Sequence, residues 1–176
     1  MKNEGKKFEE QFSKSLKKAG IKVLRLIDPP SSFGKDSKEV RFSAKNPYDF
    51  ECYNFPYLYC LELKSKASTS LSIQSKEDAE QKKSADIKYH QITALQEANE
   101  YQGVFAGFVI NFRSTNHTYW INIVSFSNFL INENKKSINE NDAKAYGVLI
   151  DQKIVRTTYS YDIKKWVDEI ITIKSN

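Results

Sequence analysis

Residues 49–64 read DFECYNFPYLYCLELK, and both the fold and the function that the sequence predicts depend on this stretch. Two runs rich in aromatic and aliphatic residues flank NFPY at positions 54–57, which is typical of a turn, so the stretch predicts a β-hairpin. A hairpin centred on that turn pairs Asp49 with Glu62. Directly opposed residues on antiparallel strands have Cβ atoms roughly 4.5–5.5 Å apart. The two carboxylates are therefore expected to lie close enough to hold one cation.

Glu62 and Lys64 lie two residues apart on the second predicted strand, so their side chains point to the same face, while Leu61 and Leu63 point to the other. An E-x-K pattern on a strand is usually a solvated ion pair, and this is the alternative interpretation. Here the rest of the strand is apolar, which predicts burial on both faces. Charged residues on such a strand need a partner or a function.

Asp49 and Glu62 repel each other unless a proton or a cation lies between them. A divalent metal ion held by both carboxylates, a backbone carbonyl and water removes that repulsion. With Mg²⁺ in this position, Lys64 would position and stabilise the hydroxide that attacks phosphorus. The pattern therefore predicts metal-assisted hydrolysis of a phosphodiester.

The composition predicts one globular domain spanning residues 1–176, because 40% hydrophobic residues suffice for a sizeable core. No apolar run approaches the ~20 residues of a membrane-spanning helix, and the charged N-terminus does not resemble a signal peptide. We therefore expect a cytoplasmic protein without membrane contact. Cys52 and Cys60 are predicted to be buried and reduced. The sequence has no glycine-rich nucleotide motif, so no small-molecule cofactor is expected.

The periodicity of apolar residues predicts an α/β fold, in which a mixed β-sheet is flanked by helices. Residues 65–86 are rich in Ser and Lys and are expected to lack regular structure. A capping box is expected at Ser137 and Glu140. The predicted helices cover 5–19, 87–101, 125–131 and 162–171, and the predicted strands cover 21–27, 48–53, 57–64, 104–112, 119–124 and 148–150.

Residues 28–47 are predicted to form a projecting basic loop, because they are polar and lack periodicity. Residues 1–48 contain 12 Lys plus Arg and 6 acidic residues, so this third of the chain carries +6. Such a cluster attracts phosphates, although a merely solubilising surface is the alternative. The candidate DNA-binding residues of the loop are Lys35, Lys38, Arg41 and Lys45.

These motifs together resemble the PD-(D/E)xK nuclease superfamily and, within it, the RecU-type Holliday junction resolvases of Gram-positive bacteria and their phages. Asn3-x-Gly5-x-x-x-Glu9 is similar to the opening motif of that family. Residues 89–92 (YHQI) are similar to its H-Q-I helix, and an apolar strand ending in Phe112 follows. The resemblance covers roughly residues 3–130 in matching order.

The resemblance implies a restriction-endonuclease-like sheet and assigns roles to five residues. It makes Asp49 and Glu62 the metal ligands for Mg²⁺, with Mn²⁺ as a substitute, and Lys64 the catalytic lysine. It adds Glu9 and Gln91 as catalytic-site residues on the first and second long helices. From the residues alone, a surface acid beside neighbouring lysines is the favoured interpretation of Glu9, and an exposed amide is the alternative for Gln91.

The resemblance also implies a substrate and an assembly. It implies an endonuclease that cleaves branched DNA at four-way junctions, with residues 28–47 as a stalk that enters the junction. That stalk is shorter than in a typical member, which bears on junction selectivity more than on nuclease chemistry. A homodimer is expected, because two symmetric cuts need two active sites. The alternatives are another nuclease of the superfamily that acts on ordinary DNA, and a non-catalytic DNA-binding recombination accessory protein.

Overall fold

The structure, a computed structural model, describes residues 4–27 and 46–175. Its helices are α1 (Glu4–Lys18), α2 (Lys76–Glu80), α3 (Tyr89–Asn99), α4 (Ile123–Glu133), α5 (Glu140–Tyr146) and α6 (Ile163–Ser175). Its strands are β1 (Lys22–Arg25), β2 (Phe50–Asn54), β3 (Tyr57–Lys66), β4 (Ser70–Ser72), β5 (Val104–Phe112), β6 (His117–Asn122), β7 (Ser137–Asn139), β8 (Val148–Leu149), β9 (Gln152–Val155) and β10 (Thr158–Tyr161).

Six of the strands form one mixed sheet in the order β1-β2-β3-β5-β6-β8. Strands β3 and β5 are parallel, and the other neighbours in this sheet are antiparallel. The connection between β3 and β5 carries α3, as a parallel pair requires a crossover. The predicted mixed sheet flanked by helices is therefore confirmed.

The hairpin of β2 and β3 has the predicted register, with Phe50 paired to Leu61 and Asn54 to Tyr57. Asp49 lies one residue before β2, and its backbone N–H donates to the carbonyl oxygen of Leu61 at 3.1 Å. The pairing therefore brings Asp49 to the part of β3 that carries Glu62.

Each face of the sheet is covered by helices, so its central strands are buried on both sides. On one face, Tyr59 and Leu61 of β3 belong to a core with Phe12 of α1 and Trp166 of α6. On the other face, Cys60, Phe108 and Ile110 belong to a core with residues of α3 and α4. All nine residues of β5 are buried. This explains the continuous apolar run from which that strand was predicted with the observed bounds.

The segment 65–86 differs from its prediction, because it contains the end of β3, β4 and α2. Leu71 and Ile73 alternate with polar residues and are buried, which anchors the segment to the core. The side chains of Ser75 and Asp78 form a reciprocal capping box that starts α2. Two buried apolar residues are thus enough to order this polar segment.

Two further local features were not predicted correctly. The capping box at Ser137 and Glu140 is wrong, because Asn139 and Asp142 form the box that starts α5. The hairpin of β9 and β10 was missed. Its turn contains Arg156 at a φ of 60°, whereas the usual turn signals in that conformation are Gly, Asn and Asp.

Two other expectations concern cysteines and membranes. Cys52 and Cys60 are both free and buried, as predicted. Among the described residues, none of the helices combines the length and the apolar character needed to cross a bilayer.

Gly107 offers a test of the contact between β5 and β6. A Cβ at this position would overlap the carbonyl oxygen of Ile121, so Gly107→Ala is expected to destabilise the fold by about 3 kcal/mol or more, measured by urea unfolding. The matched control is Gly20→Ala, where φ is +86° and no atom lies within 4 Å of the added Cβ. Backbone strain alone should cost that variant about 1 kcal/mol. Equal losses in the two variants would contradict the close approach.

Candidate active site

A cleft of about 650 Å³ opens where the first turns of α1, the start of β2 and the first turn of α3 meet. It contains four of the five candidate catalytic and metal-binding residues, and the fifth, Lys64, contacts Glu62. The lining residues are Lys6, Glu9, Arg25, Leu26, Ile27, Asn46, Tyr48, Asp49, Glu62, Lys88, His90 and Gln91. The structure therefore brings together residues that lie up to 82 positions apart in the sequence, from Glu9 to Gln91.

Glu62 is the most buried charged group of the cleft, with 3% of its side chain exposed. Lys64 lies on the same face of β3, and its Nζ is 2.8 Å from Glu62 Oε1. The backbone N–H of Leu63, between them, donates to Asp49 Oδ2 at 2.7 Å. That bond holds the Asp49 carboxylate against β3, which gives the two acids and the lysine a fixed arrangement.

Gln91 connects α3 to this arrangement. Its Nε2 donates to Glu62 Oε1 at 2.5 Å, and its Oε1 accepts from the backbone N–H of Lys88 at 3.0 Å. The second bond satisfies a backbone donor at the start of α3, which fixes the orientation of the amide. Gln91 is therefore half-buried and engaged, unlike the exposed amide of the alternative interpretation.

Glu9 enters the cleft from α1. It lies at the margin of the buried face of this helix, with 18% of its side chain exposed, and pairs with Arg25 of β1. Lys6, one turn earlier on α1, lines the same cleft. Glu9 is therefore not the freely solvated surface acid of the alternative interpretation.

Burial and like charges both oppose ionisation of the acids in this cleft. Burial raises the pKa of Glu62 to about 7, and the Asp49 carboxylate adds to the increase although Lys64 opposes it. The pKa of Glu9 is also raised, first by burial and then by Asp49, while Arg25 opposes the increase. The lysine and arginine side chains compensate the negative charge only in part.

The donor atoms fit a hard divalent cation. Within residues 4–27 and 46–175, no three side chains of His, Cys, Asp or Glu form a complete metal-binding cluster. Mg²⁺ does not require one, since it usually binds through one or two carboxylates and keeps water and substrate phosphates as its other ligands. Asp49 and Glu62 provide two such carboxylates. A cation between them would relieve the repulsion by which Asp49 raises the pKa values of Glu62 and Glu9.

Tyr48, Lys88, Arg25 and Lys6 are among the residues of the cleft that were not predicted as site residues. Tyr48 donates from its hydroxyl to Glu51 Oε1 at 2.8 Å, and its position directly before Asp49 was the available signal. Lys88 directly precedes the H-Q-I motif, which was an equally local signal. Arg25 and Lys6 reach the cleft only through the packing of α1 beside β1, so their sequence context gave no signal.

The candidate DNA-binding residues Lys35, Lys38, Arg41 and Lys45 lie outside the described residues. The described residues that flank this segment, Ile27 and Asn46, both line the cleft. The chain therefore leaves and re-enters the described structure at the active-site cleft. His90 also lines it.

The mixed sheet with helices on both faces, and the cleft with three carboxylates beside its central hairpin, belong to a fold that is also found in a resolvase. The fold is similar to that of Hjc, a Holliday junction resolvase from the archaeal hyperthermophile Archaeoglobus fulgidus, with a TM-score of 0.53 and 14% sequence identity. The match covers 82% of this chain and 95% of that chain.

The sequence identifies the family. The model of the family described as Recombination protein U, RecU, matches residues 68–165, more than half of the chain. The chain is also 29% identical over 182 residues to the SPbeta prophage-derived protein YotM of Bacillus subtilis (strain 168), covering 96% of this chain and 87% of YotM. The chain belongs to the RecU family. The matched residues include Gln91 but begin after Lys64.

The raised pKa of Glu62 leads to a pH-dependent prediction for the metal-free protein. Its ordinary pKa is 4.5 and its folded pKa is about 7, so the unfolded chain ionises first as the pH rises. Stability therefore falls between these two values. Glu62→Gln removes this loss and should be more stable than the parent at pH 8 by up to about 3 kcal/mol, with a smaller gain at pH 5.

The measurement is urea unfolding in EDTA at pH 5 and pH 8. Glu100→Gln is the control, because Glu100 is exposed and lies outside the cleft. A Glu62→Gln variant that is less stable than the parent at pH 8 would contradict the unfavourable burial of this carboxylate.

Proposed function

We propose that this RecU-family protein is a Mg²⁺-dependent endonuclease that resolves four-way DNA junctions by phosphodiester hydrolysis. One observation carries the proposal: Asp49, Glu62 and Gln91 line a single cleft with Glu9, and Lys64 pairs with Glu62 at its base. The fold shared with Hjc supports the choice of junctions as the substrate.

In this proposal, Asp49 and Glu62 hold the metal ion. When bound, such an ion supplies Lewis-acid activation of a phosphodiester and of water. Lys64 Nζ lies on the same face of β3 as Glu62, where its charge would stabilise the attacking hydroxide and the negative charge that develops on the phosphoryl oxygens. The amide of Gln91, held by the backbone of Lys88, keeps Glu62 oriented toward the metal.

Basic residues at the rim of the cleft supply the contacts to DNA. Lys6, Arg25 and Lys88 line the cleft beside the carboxylates. Their charges attract the phosphodiester backbone toward an otherwise acidic site and make the affinity depend on salt. Lysine and arginine at the rim thus offset the repulsion between the substrate and the two metal ligands.

Residues 28–47 are the candidate for junction recognition. The segment carries Lys35, Lys38, Arg41 and Lys45, and the described residues on either side of it line the cleft. DNA bound in the cleft would therefore meet this segment. Two copies of the chain, each with one cleft, would supply the paired cuts that resolution needs, which supports a homodimer.

The central experiment offers the purified protein a four-way junction, a linear duplex and a single strand of matched sequence, with Mg²⁺. Paired symmetric nicks confined to the junction are expected. Cutting of all three substrates would instead favour a nuclease that acts on ordinary DNA. Binding without any cutting would favour the non-catalytic accessory protein.

Asp49→Asn should abolish cleavage and weaken Mg²⁺ binding by at least about tenfold, while DNA affinity stays equal or rises, because one negative charge leaves the cleft. Calorimetry measures the metal affinity, and a gel-shift assay measures DNA binding. Full cleavage by this variant at saturating Mg²⁺ would contradict the assignment of the ligand.

Lys64→Ala separates catalysis from metal binding. The ammonium group binds no metal, so this variant should lose cleavage by at least about 100-fold and retain Mg²⁺ affinity in calorimetry. Lys66→Ala is the control, because Lys66 lies two residues further along β3 and pairs with Asp86 outside the cleft. Loss of Mg²⁺ binding in Lys64→Ala would indicate a structural ion pair instead.

A further inference from the structure

A second cleft, of about 420 Å³, lies beside the C-terminal half of α1. Its walls are the end of α1, the hairpin of β9 and β10, and the start of α6. Three exposed lysines line it, one from each wall: Lys18, Lys153 and Lys164. We call it the lysine cleft.

The acidic residues of the lysine cleft are already engaged. Asp151 pairs with Lys165 at 2.6 Å, and Asp162 Oδ1 accepts from the backbone N–H of Lys165 at 3.2 Å near the start of α6. In contrast, none of the three lysines has an ion-pair partner among the described residues. The cleft therefore carries a net positive charge, because its three lysines outnumber Asp162, the one carboxylate of its lining without an ion-pair partner among the described residues.

The walls of the lysine cleft are fixed to each other. Ser15 of α1 is buried, and its Oγ accepts from the backbone N–H of Tyr161 of β10 at 3.1 Å while donating to the carbonyl oxygen of Gln11 at 3.0 Å. The rings of Phe12 and Tyr161 pack with centroids 5.2 Å apart. The lysines are thus carried by a preformed surface, which lowers the entropic cost of binding a ligand.

Helix α1 joins the lysine cleft to the active-site cleft. At 100° per residue, Glu9 and Lys18 point to opposite flanks of the helix, so the helix diameter of about 10–12 Å adds to the rise of about 14 Å along the axis and places the two side chains about 18 Å apart. The exposed surface between the two clefts carries Lys6, Lys14 and Lys17 against one acid, Glu10, so it is basic. Net positive charge therefore runs from one cleft to the other across α1.

That separation matches a nucleic acid that is held at two points. Successive base pairs of duplex DNA rise 3.4 Å along each strand, so about 18 Å corresponds to about five base pairs. The lysines offer no pattern for reading bases, since they carry point charges that suit phosphate oxygens. A basic surface that continues from a nuclease cleft is complementary to the backbone of the same substrate.

We propose that the lysine cleft and the basic surface of α1 bind the phosphate backbone of a duplex DNA arm, about five base pairs from the phosphodiester in the active-site cleft. The inference rests on the proposed nuclease function and adds a second DNA-binding site to it. This site supplies affinity independent of sequence and sets the direction in which the arm leaves the active site.

The test is the triple variant Lys18→Ala, Lys153→Ala, Lys164→Ala, with junction and duplex binding measured in EDTA across a salt series. Each lost phosphate contact lowers the slope of log affinity against log salt by about 0.9, so a decrease of up to about 2.7 is expected. Affinity at about 0.15 M salt should fall by at least about tenfold. Circular dichroism and urea unfolding check that the fold is retained.

The matched control is Lys76→Ala, Lys136→Ala, Lys144→Ala, which removes the same charge from exposed positions outside both clefts. It should keep the parental slope and affinity. Equal losses in the two triple variants would overturn the proposal, because the effect would then be one of net charge.

A second measurement distinguishes a defined site from general attraction. Shortening one duplex arm to fewer than about five base pairs beyond the cut should weaken binding by the parent and leave the triple variant nearly unaffected. Equal sensitivity to arm length in both proteins would overturn the proposal.

Binding to vesicles of anionic lipid is measured for the parent and the triple variant as well. If the triple variant loses vesicle binding but keeps the DNA affinity of the parent, the lysine cleft binds a membrane and the proposal is overturned. Failure of the parent to cleave any DNA bears on the proposed function alone, because the binding measurements need no cleavage.

Discussion

The burial of one carboxylate, that of Glu62, is the constraint on which the rest of the structure depends. A charged group on a central strand, with 3% of its side chain exposed, is unstable unless its surroundings compensate it. The fold supplies part of this compensation from two directions. Lys64 comes from the same strand and Gln91 comes from the crossover helix. Asp49, held opposite by the backbone of β3, adds a second negative charge that a divalent cation would neutralise.

This constraint explains why the site is assembled from so many elements. The parallel pairing of β3 and β5 requires a crossover, and the crossover places the first turn of α3 over Glu62. On the opposite face, Phe8 and Phe12 bury α1 against the sheet, which sets Glu9 at the edge of the cleft. The two cores thus fix the distances on which the chemistry depends, although neither core contains a catalytic group.

The sequence predicted the features that follow from local periodicity. The apolar run at residues 104–112 predicted β5, all nine residues of which are buried. The turn at residues 54–57 predicted the register that brings Asp49 toward Glu62. It did not predict the hairpin of β9 and β10, because its turn uses Arg156 in a conformation usually marked by glycine. The bond of Gln91 to Glu62 spans 29 positions and depends on helix packing. Periodicity carries no information on that contact, so the assignment of Gln91 came from resemblance alone.

The strict alternation of β3 limits how this protein can change. The odd-numbered residues from Tyr59 to Leu63 belong to one core. Glu62 and Lys64 point to the opposite face, on which Glu62 lines the active-site cleft. A shift of β3 by one residue would exchange these faces and bring the leucines into the cleft. Insertions and deletions in the loops leave the alternation of β3 unchanged. The insertion of a single residue within the strand reverses the faces of all residues that follow it. Substitutions that keep the alternation can therefore accumulate along β3 without moving Glu62 or Lys64 to the other face.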